Sequence, residues 1–438
     1  GGKVAVDHFQ VCIIGAGPTG LTTVKNLAEA GITDIICHEA QDATGGIWAY
    51  SDDLNRPSVY ETAHTISSKK LSQFPDYPMP DDYPDYPSNR QILAYMRAYE
   101  AHFDLSRHIR LNSRVETVRR KKGGGWEITY QDIADSHTHT ADYLLVCSGH
   151  HREPAIPDLP GNFSGQQLHS VLYKKAAGFA DQSVLVVGGG NSACDIATET
   201  SRVADHVSLS IRSPQYIIPK LIAGRPVDVQ FAKLQKPFLR WARHQIVKAC
   251  VTAAVGPYER YGLQRPNFPV LSRHPTLNTT ILDRIRHGKV RARPGITKAD
   301  GNTVYFADGT SRDFDTIVWA TGFKLGAPFL EEVCPGWGDA TQLPLFHKMM
   351  LADIPDIFFV GLIQPVGCIW VLADLQAKVA AAEILGKWKR PDNMVTQIEQ
   401  QSRRDAKRYK ASHRHAVQVD TYEYRGELNG ILREALTE

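Results

Sequence analysis

Gly15, Gly17 and Gly20 stand in a GxGxxG spacing where an apolar, strand-forming run ends. A pyrophosphate site needs that spacing. One glycine makes a tight turn, one lets the backbone approach the phosphates, and one lets the next helix pack on the strand. Pro18 and Thr19 complete the turn, and the helix behind it offers free N–H groups and the positive end of its dipole. Glu39 ends the next strand about 20 residues on, where a carboxylate accepts hydrogen bonds from ribose hydroxyls. A second turn, Gly188-Gly189-Gly190-Asn191-Ser192-Ala193, reads GxGxxA, with Arg212 where the acid would stand. A carboxylate there would repel a 2′-phosphate, whereas a guanidinium grips it with paired charged hydrogen bonds. Lys220 reads as a solvent-exposed lysine. The first turn therefore suits FAD or NAD and the second NADPH, and together they point to hydride transfer from NADPH to a flavin.

Each turn must be held between a strand and a helix, and the chain supplies both twice. A β run over 9–14 precedes the first turn. Leu21, Val24, Leu27 and Ala28 then share one helix face, Gly31 ends the helix, and a strand follows over 34–38. Residues 74–88, dense in Pro, Asp and Tyr, predict an ordered surface loop before a helix over about 89–104. Strands around 113–119, 126–131 and 137–146, with Gly123–Gly125 in the first turn, predict a small meander laid on this unit. The second unit runs through a strand at 183–187, a helix at 191–203 and a strand at 207–211. A more helical, basic segment over 214–265 interrupts it, and its charges read as a solvated helix face. Short strands at 290–293, 303–306 and 316–319 lead to Ala320-Thr321-Gly322. A strand at 357–361 and a helix at about 372–386 follow.

Composition narrows the function classes. The 438 residues suffice for two or three domains, each with its own core. Lys plus Arg number 50 against 47 Asp plus Glu, a formal charge of +3, which gives no reason to expect nucleic acid or an anionic membrane as partner. No apolar run approaches the roughly 18 residues of a membrane span, and the polar stretch 397–438 offers no anchor. The first residues lack a signal-peptide pattern. Seven cysteines are scattered, with no CxxC pair and no zinc spacing, so free thiols, several of them buried as small hydrophobes, are expected in a cytoplasmic protein. Among 17 histidines there is no HExxH; His137 and His139 fall in a polar, turn-like stretch, and no metal site is expected.

Between the two units lies Phe163-Ser164-Gly165-Gln166-Gln167-Leu168-His169-Ser170-Val171-Leu172-Tyr173, which resembles the FxGxxxH(S/T)xx(Y/F) fingerprint of the flavin-containing monooxygenases, class B flavoprotein monooxygenases with two dinucleotide-binding domains. Baeyer–Villiger monooxygenases usually end a similar stretch with Trp, so Tyr173 favours the first group. His169 alone would read as a structural histidine. Gly45-Gly46-Ile47-Trp48 resembles the family segment set against the flavin, and Cys147-Ser148-Gly149-His150-His151 the first domain crossing. Ala320-Thr321-Gly322-Phe323 resembles the return crossing, Gly361-Leu362-Ile363-Gln364 the strand end facing the isoalloxazine, and Asp374-Leu375-Gln376 the start of the next helix. The motifs occur in family order from about residue 9 to 390. The resemblance implies an α/β fold of two Rossmann-like domains, the NADPH domain inserted into the FAD domain. Residues 1–153 and 321–438, ending in a helical tail, would form the FAD domain. Residues 154–320, with a helical insertion at about 214–290, would form the NADPH domain. Gly46, Ile47, Trp48, Thr321 and Gln364 join the glycine-turn residues, Glu39 and Arg212 as cofactor-binding candidates.

By the same resemblance, NADPH reduces FAD at N5 and O2 adds at C4a. The hydroperoxyflavin, shielded by NADP+, then oxygenates the amine nitrogen or sulfide sulfur of a small molecule. The cofactor carries the hard chemistry while protein groups orient it and exclude solvent. A homodimer would follow the family habit. One position departs from the pattern: where the family has an Asn contacting the flavin oxygen adduct, this sequence has Ile66, in Tyr60-Glu61-Thr62-Ala63-His64-Thr65-Ile66-Ser67-Ser68-Lys69. Isoleucine neither donates nor accepts a hydrogen bond. One such contact in a dry site is worth a few kcal/mol, with His64 and Ser67 as the candidate substitutes. The expected activity is N- or S-oxygenation. Alternatives are a Baeyer–Villiger reaction on ketones, disfavoured by Tyr173, and an NADPH oxidase releasing hydrogen peroxide, favoured by Ile66. A disulfide reductase lacks its cysteine pair, and a non-enzymatic flavin sensor would leave two nucleotide turns without purpose.

Overall fold

The computed structural model describes residues 5–150, 153–239, 241–409 and 413–437. Two sheets, the larger mixed and the smaller parallel, carry the two glycine turns. The larger has nine strands, in the order Leu345–Phe346, Met350–Leu351, Ile357–Phe359, Ser136–Val146, His8–Ile14, Ile35–His38 and Ile109–Arg110, with Trp126–Gln131 and Arg114–Arg120 branching from Ser136–Val146. The smaller has five, all parallel: Arg291–Arg293, His206–Ser210, Ser183–Val187, Thr316–Trp319 and Gln166–His169. The larger sheet takes strands from both ends of the chain and the smaller only from its middle. Where the chain leaves and returns, Glu153–Pro154 pairs antiparallel with Phe323–Lys324.

The strand His8–Ile14 is apolar on both faces because it lies in the middle of its sheet. Val11 and Ile13 face the helices, while Cys12 and Ile14 face the β-hairpins. On the helix side, Leu21, Val24 and Leu27 of Pro18–Glu29 pack with the helix Ile369–Ile384. That contact also buries a carboxylate. Asp374 accepts hydrogen bonds from Thr22 (3.1 Å) and Asn26 (2.8 Å) and an ion pair from Lys378 (2.9 Å), which offsets the cost of taking a charge out of water. The helix Asn89–His102 starts at a reciprocal capping box between Ser88 and Gln91.

Three sequence expectations change, those for the meander, His139 and the segment 214–265. The meander is not laid on the first unit but belongs to its sheet. The long strand Ser136–Val146 pairs antiparallel with Trp126–Gln131 along its first half and parallel with His8–Ile14 from Thr140 onward. His139 is therefore in a strand and 3% exposed, not in a polar turn. The segment 214–265 holds short strands at Ile217–Ile218, Leu221–Ile222 and Arg225–Pro226 before the helices Val227–Lys233 and Arg243–Val255. The C-terminal segment, polar by composition, ends in the helix Thr421–Thr437, which buries Tyr424, Leu428 and Ile431 on one face. The seven cysteines are unpaired as expected: six are buried and Cys250 is half-buried. No described helix is long and apolar enough to cross a membrane.

Candidate active site

The first glycine turn is built so that only glycine fits at its first and third positions. Gly15 has φ +101°, and a Cβ there would lie 2.7 Å from the Cys147 carbonyl oxygen; a Cβ on Gly20 would lie 1.8 Å from the Gly15 oxygen. Gly17 caps the helix in an extended conformation with no side-chain hydrogen bond, and Pro18 follows it. The first-turn N–H groups, which no helix can satisfy internally, are thus left for a ligand. Gly45 N–H bonds to the Ala16 oxygen (3.0 Å), which sets Gly46 against Gly17, while Ile47 and Trp48 are half-buried beside them. Glu39 is buried at the end of Ile35–His38 and accepts from the backbone N–H of Ala16 (2.8 Å) and Gln41 (2.9 Å), so its carboxylate is fixed before any sugar arrives. A Cβ on Gly361 would lie 2.7 Å from Thr19 Cγ2, and His150 Nε2 lies 3.2 Å from Gln364 Oε1. Segments separate in sequence thus meet at one turn. His151 lies outside the described residues.

The second turn repeats the plan with more room at its third position. Gly188 has φ +140°, and a Cβ there would lie 2.3 Å from the Ala320 oxygen, but its third position already carries the Ala193 methyl. Gly190 caps the helix Asn191–Thr200 in extended conformation, again without a side-chain cap. Asn191 Oδ1 is buried with no hydrogen-bond partner among the described residues, an acceptor that a bound nucleotide can satisfy; Ser192 is exposed. Arg212 is also exposed, just beyond His206–Ser210. Its neighbours Ile211, Ser213, Pro214 and Gln215 line a cavity of about 220 Å3 with Arg293, a second guanidinium that sequence reading did not single out. Arg293 is 5% exposed and fixed by Ser208 (2.8 Å). The crossing motifs tie this unit to the first: His169 Nε2 lies 2.8 Å from the Gly322 oxygen and Thr321 donates to the Ala155 oxygen at 2.6 Å. Burial lowers the His169 pKa, keeping a neutral imidazole in that structural post.

The segment holding His64, Ile66 and Ser67 bridges the two units. Tyr60 donates to Asp195 on the second glycine helix, Lys220 Nζ reaches the Thr65 oxygen (3.0 Å), and Ser68 N–H donates to Asp228 (2.7 Å). Lys220 is thus not the solvent-exposed lysine expected: it lies over the Tyr86 ring, and burial lowers its pKa while Asp195 and Asp228 oppose that. Burial raises the pKa of Asp195 and of Glu199, which receives the Tyr173 hydroxyl at 2.8 Å. Ile66 is 42% exposed, so it does not serve the core. His64 is exposed, its Nδ1 2.8 Å from the Thr62 oxygen. The Ser67 hydroxyl is taken, 2.6 Å from Ser72 Oγ, and Ser72 also donates to the Ser67 carbonyl. The flanking Thr65 Oγ1 and Ser68 Oγ are buried without a partner among the described residues. Sequence reading missed both, because a hydroxyl's free valence shows only once its neighbours are placed.

Comparison with known proteins agrees with this geometry. The family described as flavin-binding monooxygenase-like matches residues 8–434. Flavin-containing monooxygenase 5 of Homo sapiens is 31% identical over 96% of this chain and 83% of its own length. Dimethylaniline monooxygenase [N-oxide-forming] 2 of Cavia porcellus is 33% identical over 96% and 82%. Among solved structures, S-allyl-L-cysteine S-oxygenase from Allium sativum superposes with a TM-score of 0.70 at 22% identity, covering 98% of this chain and 89% of that one. Cyclohexanone-bound cyclohexanone monooxygenase superposes with 0.73 at 17% identity, covering 98% of each. At those identities the structures attest the fold.

Proposed function

We propose, from the premise that this chain belongs to the flavin-binding monooxygenase-like family, that it oxygenates a soft nucleophile, an amine nitrogen or a sulfide sulfur, of a small molecule. FAD and NADPH are its cofactors and O2 its co-substrate. Bound flavin supplies hydride acceptance and oxygen activation; the rest falls to the residues. Gly15, Gly17, Pro18, Thr19 and Gly20 would cradle the FAD pyrophosphate, Glu39 its ribose, and Gly46, Ile47, Trp48 and Gln364 would border its ring. Gly188, Gly190, Asn191, Ser192, Ala193 and Thr321 would hold the NADPH side, with Arg212 on the 2′-phosphate. The FAD domain would comprise residues 1–153 and 321–438 and the NADPH domain 154–320, following the membership of the two sheets. Unpaired thiols fit a cytoplasmic setting.

The observation that carries this reading is the pair of uncapped helix starts, one with a fixed carboxylate at the next strand end and the other with an exposed guanidinium. Around Ile66 the reacting region would take its hydrogen bonds from Thr65 and Ser68 in place of an amide, with Tyr60 and Lys220 holding that segment across the units. Oxygen isotope tracing tests the reaction. With labelled O2 and NADPH, one labelled oxygen should enter an added tertiary amine or thioether. A chain that consumes NADPH and returns all the oxygen as hydrogen peroxide would instead be an NADPH oxidase. The exposed isoleucine at position 66 is the specific feature that favours that second reading.

A further inference from the structure

On the face of the larger sheet turned away from the first glycine helix, Cys12, His38 and His139 are all buried, and one ligand atom from each lies within 4.8 Å of the others. Three strands supply them: His8–Ile14, Ile35–His38 and Ser136–Val146. The two imidazoles meet Nε2 to Nε2 at 2.7 Å, and each Nδ1 has its own partner: Ser113 Oγ for His38 (2.6 Å) and the Thr140 oxygen for His139 (3.3 Å). That is how metal-binding histidines are held, with the outer nitrogen fixing the ring and the inner one directed at the ion. We propose that Cys12, His38 and His139 form a binding site for one monovalent copper ion, apart from the cofactor turns.

Charge decides the choice of ion. One thiolate and two neutral imidazoles around a singly charged ion sum to zero, whereas a divalent ion would leave a net positive charge in an apolar interior beside the Arg110 guanidinium. Binding exchanges one ion for the thiol proton, which leaves to solvent, with no change in oxidation state. Soft thiolate in a low-coordinate site is also copper(I) chemistry. The ring nitrogens would move apart by roughly 0.7 Å to seat an ion at about 2.0 Å from each. In the metal-free state the same rings satisfy each other as a neutral hydrogen-bonded pair, and the experiment separates the two roles.

The flavoprotein should be produced in copper-supplemented medium, dialysed against a copper(I) chelator, and assayed for metal. The expected result is about one copper per chain in the wild type and a loss of at least tenfold in Cys12→Ala and His139→Gln, with flavin content retained. The X-ray absorption of loaded wild-type protein should show one sulfur and two nitrogen neighbours, a readout independent of how well the variants fold. Copper below about a tenth of an equivalent, undiminished copper in both variants, an all-sulfur or sulfur-free shell, or zinc retained in preference would each overturn the assignment.

Discussion

The two glycine turns share a plan and differ in the room at their third position. The third position of the first turn has no room for a methyl, since a Cβ on Gly20 would sit 1.8 Å from a backbone oxygen; the second turn carries Ala193 there. The first sets a buried carboxylate held by two backbone N–H groups, and the second an exposed guanidinium. A closed cradle with a pre-fixed acceptor suits a cofactor that stays, because little ordering remains to be done on binding. A cradle with an exposed charge suits one that exchanges every turnover.

The largest effect expected from breaking this contrast is at the tight position. Gly20→Ala should give colourless protein, read as the flavin-to-protein absorbance ratio. Ala193→Gly should stay yellow and lose only about 1 kcal/mol of stability from helix propensity. Next, Arg212→Glu should raise the KM for NADPH roughly 10- to 100-fold, the worth of a charge-assisted pair, and leave that for NADH nearly unchanged. Equal changes for both nucleotides would remove Arg212 from the phosphate. Glu39→Gln, losing one charged acceptor, should weaken FAD about tenfold in a flavin-release titration, with NADPH specificity unaltered.

Smaller effects belong to the bridge between the turns. Ile66→Asn should lower the hydrogen peroxide formed per NADPH consumed; an unchanged peroxide yield would show that Thr65 and Ser68 already fill that role. Asp195 gives the pH signature. Its pKa is raised in the fold by burial, so the folded state holds the proton more tightly than the unfolded chain. Stability from this group is then full below about pH 3.9, the unfolded value, and declines as pH rises through the folded one. Melting temperatures of Asp195→Asn from pH 4 to 7 should lack part of that decline.

What the sequence determined by itself was local and periodic. The glycine spacings, the strand and helix around each turn, the acid and the guanidinium at matched places, and the unpaired cysteines were all legible, because each is set by neighbours within one βαβ unit. The tertiary structure decided what depends on residues far apart. It joined Ser136–Val146 to the central strand, brought Lys220 out of solvent onto Thr65, and engaged Ser67 with Ser72 while leaving the Thr65 and Ser68 hydroxyls without a partner among the described residues. It also drew His139 from an apparently polar stretch into a buried contact with His38. Periodicity reports which face of an element is apolar. Which polar atoms then find partners is fixed only when separate elements pack, since a hydrogen bond needs both groups within about 3 Å.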